Sequence, residues 1–129
     1  MQSISAVSIL IHDYDVAIAW FTNKLGFVLT QDVDMGGNKR WVTMTPHTDA
    51  QTSIVIARAT TPSQIAAIGN QHGGRVGFFL MVDNFDATYY AMLAKGVVFR
   101  ENPRSEPFGK VVVFEDCCGN GWDLLERGS

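Results

Sequence analysis

At 129 residues the chain has the size of one ordinary domain, long enough to bury a core. A composition of 47% hydrophobic and 18% charged residues with a formal net charge of −3 fits a globular protein, and argues against nucleic acid or an anionic membrane surface as its main partner. No apolar run approaches the roughly 20 residues of a membrane span, and Met1-Gln2-Ser3 is not the start of a basic, greasy leader, so a cytoplasmic location is expected.

Residues 4–11 read as a strand, with Val7, Ile9 and Ile11 on one face and Ala6, Ser8 and Leu10 on the other. Asp13 is placed as a helix N-cap, and Asp15 falls in the first turn, where the helix dipole favours a carboxylate. Tyr14, Ala17, Ile18, Phe21 and Leu25 recur at helical spacing, a stripe that reads as core packing, and Gly26 ends the helix. Strands follow near residues 39–45 and 52–58, with Gly36-Gly37-Asn38 as turn chemistry. Thr61-Pro62-Ser63 then opens a short helical linker ending near Gly69, and His72-Gly73-Gly74 forms a glycine-rich joint.

Beyond the joint the pattern starts again. Residues 75–82 form a strand, Asn84 a cap, Phe85, Tyr89, Met92 and Leu93 a buried helix face, and Lys95-Gly96 the helix end. Residues 97–100, 110–115 and 121–126 supply three more strands. Ile11 matches Val82, Tyr14 matches Phe85, Asp15 matches Asp86 and Lys24 matches Lys95, each about 71 residues apart, a lone duplication too short for a solenoid. Each half reads as β-α-β-β-β: a module over 1–60, a linker over 61–74 and a module over 75–129, in one domain spanning 1–129. Period-two stretches with only two main helices give an α+β class, a mixed sheet with helices on its outside.

Two stretches carry a resemblance. Asp13-Tyr14-Asp15 leads through Ala17 and Phe21 to Lys24-Leu25-Gly26-Phe27, and Phe108-Gly109-Lys110 leads to Asp116-Cys-Cys-Gly-Asn-Gly-Trp-Asp-Leu-Leu-Glu126. In this order, inside a duplication, the chain resembles the vicinal oxygen chelate superfamily of glyoxalases, bleomycin-resistance proteins and extradiol dioxygenases. The resemblance covers essentially the whole chain. It implies two modules that each curl their sheet into half of a cup around a cleft, and a homodimer with its clefts at or near the interface.

Metal-dependent members of that family take one ligand from the first and one from the last strand of each module. The first-strand ligand, typically His, maps to Ala6 and to Gly77, and the ligand that is typically Glu maps to Val55. Only the fourth position keeps a carboxylate, Asp123. A catalytic transition metal needs about three protein ligands of N, O or S type, and Ala, Gly and Val offer none, so no metal and no other cofactor is expected. His12, His47 and His72 lie at no metal-motif spacing from another ligand and read as structural.

Strand alternation gives the residues that share a face with these positions: Ser8 and Leu10 with 6, Phe79 and Met81 with 77, Ser53 and Ala57 with Val55, and Leu125 with Asp123. The ligand-binding candidates are Asp123, Phe79, Met81, Ser8, Leu10 and Val55, with Trp41 at the rim, and no catalytic residue is assigned. Apolar walls with a few polar groups are how a small-molecule pocket is built, Phe providing stacking and Met adaptability. An Asp in such a cleft has its pKa raised, which suits a general base or an anchor for a cation; pairing with Arg40 or Arg58 is the alternative. Trp20 and Trp122 read as packing or subunit-interface residues. Cys117 and Cys118 replace the Pro-Asp usual in the family's final turn; adjacent cysteines rarely bond to each other, and the pair reads as a structural oddity.

The function so implied is that of a metal-free protein, similar to the bleomycin-resistance branch, that sequesters a drug-like or aromatic small molecule and so confers antibiotic resistance. The alternative is a glyoxalase-like metal-dependent lyase or isomerase, or a dioxygenase; a third reading is a metal-independent enzyme with Asp123 as general base.

Overall fold

Why the first half folds as it does is visible at the ends of its first helix. In the computed structural model, which describes residues 1–128, the chain divides into two units, Met1–Gln71 and a second from His72 onward. The first contains β1 (Ala6–Ile11), α1 (Tyr14–Leu25), β2 (Val28–Gly36), β3 (Lys39–Thr45), β4 (Ser53–Arg58) and α2 (Pro62–Ala67). Asp13 has extended backbone and its carboxylate accepts the Val16 N–H at 2.9 Å, which satisfies one orphan donor of α1. Gly26 stops the helix in the left-handed region at φ 70°, where a β-carbon would be strained.

The sheet order is β1-β4-β3-β2; β1 and β4 run parallel and the other pairs antiparallel. Helix α1 packs on β4 and β2 and buries Tyr14, Ala17 and Phe21. Ile9, Ile11, Val42, Met44, Ile54 and Ile56 are buried with them, each worth about 1.5–3 kcal/mol of transfer free energy.

The second unit repeats the plan with β5 (Phe78–Val82), α3 (Phe85–Ala94), β6 (Arg104–Glu106), β7 (Gly109–Glu115) and β8 (Gly121–Glu126). Asn84 caps α3 by accepting the Ala87 N–H at 3.1 Å. The order is β5-β8-β7-β6, with β5 and β8 parallel. Its core is aromatic: Trp122 stacks on Phe78 at 4.7 Å and on Phe114 at 5.7 Å, and Phe99 meets Tyr89 at 4.8 Å. Both units are α+β with a mixed four-stranded sheet, in agreement with the fold class read from the sequence.

Four details differ from the sequence reading. Strand β2 has no counterpart in the sequence reading, because it is an edge strand exposed along nearly its whole length, so its polar and apolar residues show no one-sided pattern. Residues 97–100 form only an isolated bridge, Phe99 to Phe114, and Pro103, which has no N–H, precedes the short edge strand β6. β5 begins at Phe78 rather than at 75. Leu93 is 47% exposed, since it lies at the edge of the stripe on which Phe85 and Met92 are buried. Helix α2 falls within the first unit.

Candidate functional site

The parallel pairing of β5 with β8 sets Phe79 opposite Asp123 and Met81 opposite Leu125. On the other side of β8, antiparallel β7 sets Val113 opposite Asp123. Trp122 and Leu124, one residue off this row, are buried in the core, so Asp123 and Leu125 face away from it. Phe79, Met81, Phe108, Asp123, Leu125 and Glu126 line an open groove of about 590 Å³ together with Gly128. That volume lies within the range of small-molecule pockets. Phe79 is 64% exposed, Phe108 57% and Met81 46%, an unusual concentration of apolar surface on one wall.

Asp123 sits between Phe79 and Val113 on the neighbouring strands, and neither side chain has a donor. Its Oδ1 is buried without a hydrogen-bond partner. Burial pushes the carboxyl above its ordinary value of 3.8; the charge of Arg104 opposes the shift and that of Glu101 adds to it. Arg104 does not bond the carboxylate: it is held by Glu101 at 3.1 Å and Glu106 at 2.5 Å. The sequence offered Arg40 or Arg58 as a partner, and Arg40 is engaged by carboxylates of its own unit. Arg40 donates to Asp32 at 2.6 Å and Asp15 at 2.9 Å. Glu126, the second carboxylate of the groove, accepts the Lys110 N–H at 3.1 Å.

The candidates of the first unit lie elsewhere. Ser8 pairs with Val55, which pairs with Thr43. Leu10 pairs with Ala57. Trp41 is 40% exposed and its indole N–H donates to Gln31 Oε1 at 2.8 Å. None of Ser8, Leu10, Trp41 and Val55 lines the groove of the second unit. The first unit has its own groove of about 780 Å³, lined by residues that include His12, Tyr14, Asp34 and Arg58. It is polar, and four of its polar residues already bond one another: Arg40 holds Asp15 and Asp32, and its backbone N–H donates to Tyr14 Oη at 3.1 Å. The groove of the second unit is the smaller and the more apolar of the two.

Phe108 and Glu126 escaped the strand-alternation argument. Phe108 lies in the turn between β6 and β7, and Glu126 ends β8, so neither belongs to a central alternating run. Both nonetheless fall in the segments that carry the family resemblance.

The positions where the family places a metal do not fit one. Ala6, Val55 and Gly77 have no donor, and a side chain at 77 would collide with the His72 imidazole, which covers Gly77 and meets Phe78 edge-on at 5.1 Å. Among the described residues, the one grouping of three or more His, Cys, Asp or Glu within common reach is Asp116, Cys117 and Cys118 in the β7–β8 turn. No helix among them is long and apolar enough to cross a membrane.

Comparison with known proteins agrees with this architecture. The chain is 43% identical over 126 residues to an uncharacterized protein of Shewanella frigidimarina (strain NCIMB 400), covering 97% of this chain and 93% of that one. The crystal structure of UcmS2 superposes with a TM-score of 0.84 at 31% identity, covering 96% of this chain and 97% of UcmS2. TnmS3, an antibiotic binding protein from Streptomyces sp. CB03234, superposes with a TM-score of 0.79 at 25% identity, covering 99% of this chain and 98% of TnmS3. Residues 3–124 match one family along nearly their whole length, and the chain belongs to the glyoxalase/bleomycin resistance protein/dioxygenase superfamily.

Proposed function

We propose that this protein binds a small aromatic molecule without a metal ion, in the groove of its second unit, and that the ligand places an amine or other N–H donor on Asp123. The observation that carries the reading is the buried, partnerless Oδ1 of Asp123 beside the apolar side chains of Phe79, Met81, Phe108 and Leu125. An unmade hydrogen bond there costs about 1–3 kcal/mol, and a ligand N–H supplies it as a charge-assisted bond. Phe79 and Phe108 offer rings to stack on, and Met81 adapts to the ligand's outline. The similarity to TnmS3 supports a drug-like ligand and sequestration as the protein's work, with antibiotic resistance as the consequence. The same proposal includes a cytoplasmic location and pairing of two copies of this chain, which sedimentation velocity tests directly.

Titration calorimetry with planar aromatic amines, each beside a neutral isostere lacking the amine, tests the reading. The amine is expected to bind about tenfold or more tighter than the isostere, and Asp123→Asn to abolish that preference, since tenfold corresponds to about 1.4 kcal/mol. Equal affinity for both members of every pair sinks the role of Asp123. Elemental mass spectrometry after incubation with Ni, Zn, Mn, Fe(II) and Co is expected to find sub-stoichiometric metal. One tightly held ion per chain would favour a metal-dependent lyase, isomerase or dioxygenase instead.

A further inference from the structure

The β7–β8 turn holds two thiols side by side on a rigid frame. The Sγ atoms of Cys117 and Cys118 are 3.6 Å apart, and both residues are half-buried, within reach of solvent. Their frame is the buried carboxylate of Asp116. Its Oδ1 accepts the N–H groups of Cys118 at 2.9 Å and Asn120 at 3.1 Å; its Oδ2 accepts the Asn120 amide at 3.0 Å and the Trp122 indole N–H at 2.9 Å. Four bonds fill the acceptor positions of a carboxylate, so Asp116 fixes the turn and is not available as a ligand. Gly119, at φ 100°, lets the chain double back, and Arg100 clamps its carbonyl at 2.9 Å.

Oxidation of this pair to a disulfide is strained. Adjacent Cα atoms lie about 3.8 Å apart across a trans peptide, below the roughly 4.4–6.8 Å that disulfides span. The pair therefore persists as a dithiol. Zinc prefers about four donors, and two sulfurs fall short. The hydrogen bond to Cys118, burial and the nearby charge of Asp116 push the Cys117 thiol up, so a divalent ion would also have to displace its proton.

We propose that the Cys117–Cys118 turn is a binding site for trivalent arsenic, as arsenite or a mono-substituted arsenical. Two S–As bonds form and two As–O bonds break; each thiol proton leaves with a hydroxyl as water, and no oxidant or reductant is required. Arsenic keeps its third substituent, a hydroxyl or an organic group, directed to solvent. The site is independent of the groove around Asp123, so failure of one proposal leaves the other standing.

The test uses the whole reduced chain with two probes, sodium arsenite and phenylarsine oxide, read by native mass spectrometry and by thiol titration. One arsenic per chain, loss of both titratable thiols and release by 2,3-dimercaptopropanol are expected. Cys117→Ser and Cys118→Ser are each expected to lose the adduct while keeping the wild-type circular dichroism spectrum. Should either variant not fold, wild-type protein alkylated at both thiols replaces it and is expected to take up no arsenic. Both thiols remaining titratable in excess phenylarsine oxide would overturn the proposal, as would an adduct that survives in a single-cysteine variant. Stoichiometric zinc uptake under the same conditions would overturn the preference for arsenic.

Discussion

The row that pairs Ser8 with Val55 in the first unit has its counterpart in the row that pairs Phe79 with Asp123 in the second. Both are parallel first-to-last-strand pairs following the same β-α-β-β-β course. Asp13 and Asn84 cap the equivalent helices by the same N–H three residues on. The backbone plan of the duplication has been kept while the open faces have diverged. One carries small and β-branched side chains; the other carries a phenyl ring and a carboxylate without a partner. Chain geometry is restrained by caps, register and the buried face, all of which respond to single changes. Side chains on the open face contribute little to folding and can change with the ligand.

The largest contrast between the units is expected at tryptophan. Trp122 is 2% exposed, stacked on Phe78 and Phe114, and bonded to Asp116; Trp41 is 40% exposed with one bond to Gln31. Trp122→Ala should cost about 3–5 kcal/mol in urea unfolding, from lost transfer energy and the cavity left behind. Trp41→Ala should cost less than about 1 kcal/mol. Comparable losses would mean that the open face of the first unit is as tightly restrained as the core of the second.

That contrast also marks what the sequence made legible. The core stripes of α1 and α3, both N-caps and strand β8 are local signals, in which period and cap chemistry coincide with burial. Phe79, Met81, Asp123 and Leu125 follow from alternation alone once β5 and β8 are in place. Edge strand β2 and the turn residue Phe108 were illegible because neither has a one-sided environment to imprint a period. The partners of Arg40 were illegible for another reason. Which carboxylate Arg40 reaches is decided by long side chains across strands, and in the structure it holds Asp15 and Asp32 of its own unit.

A smaller effect tests whether the two helix starts remain equivalent. Asp13→Ala and Asn84→Ala each remove one side-chain acceptor from an N-cap, worth about 1 kcal/mol. The losses in urea midpoint, converted to free energy, should agree within about 0.5 kcal/mol, since the sites are far apart in sequence and share no partner. A loss at one cap and none at the other would show that only one helix start still depends on its cap.

The smallest effect is the most diagnostic, because two carboxylates of the same type should tilt stability in opposite directions with pH. Asp32 has its pKa lowered, chiefly by its hydrogen bond from Arg40, so its contribution is present above 3.8 and is lost as pH falls through the lowered value. Asp123 has its pKa raised by burial, so its ionised form is a cost above the raised value, relieved as pH falls towards 3.8. Asp123→Asn should therefore melt above wild type at neutral pH, with the gap closing on acidification. Asp32→Asn should melt slightly below wild type at neutral pH, its gap closing only in stronger acid; because that ion pair is solvent-exposed, added salt should shrink it. Thermal melts of the three proteins from pH 7 to 3 at low and high salt measure both slopes. A saturating aromatic amine should then reverse the order at position 123, since it turns the unpartnered carboxylate of the wild type into a paired one that Asn cannot match. If Asp123→Asn melts below wild type at neutral pH in the absence of any ligand, the carboxylate already has a partner in the protein, and the groove loses its anchor.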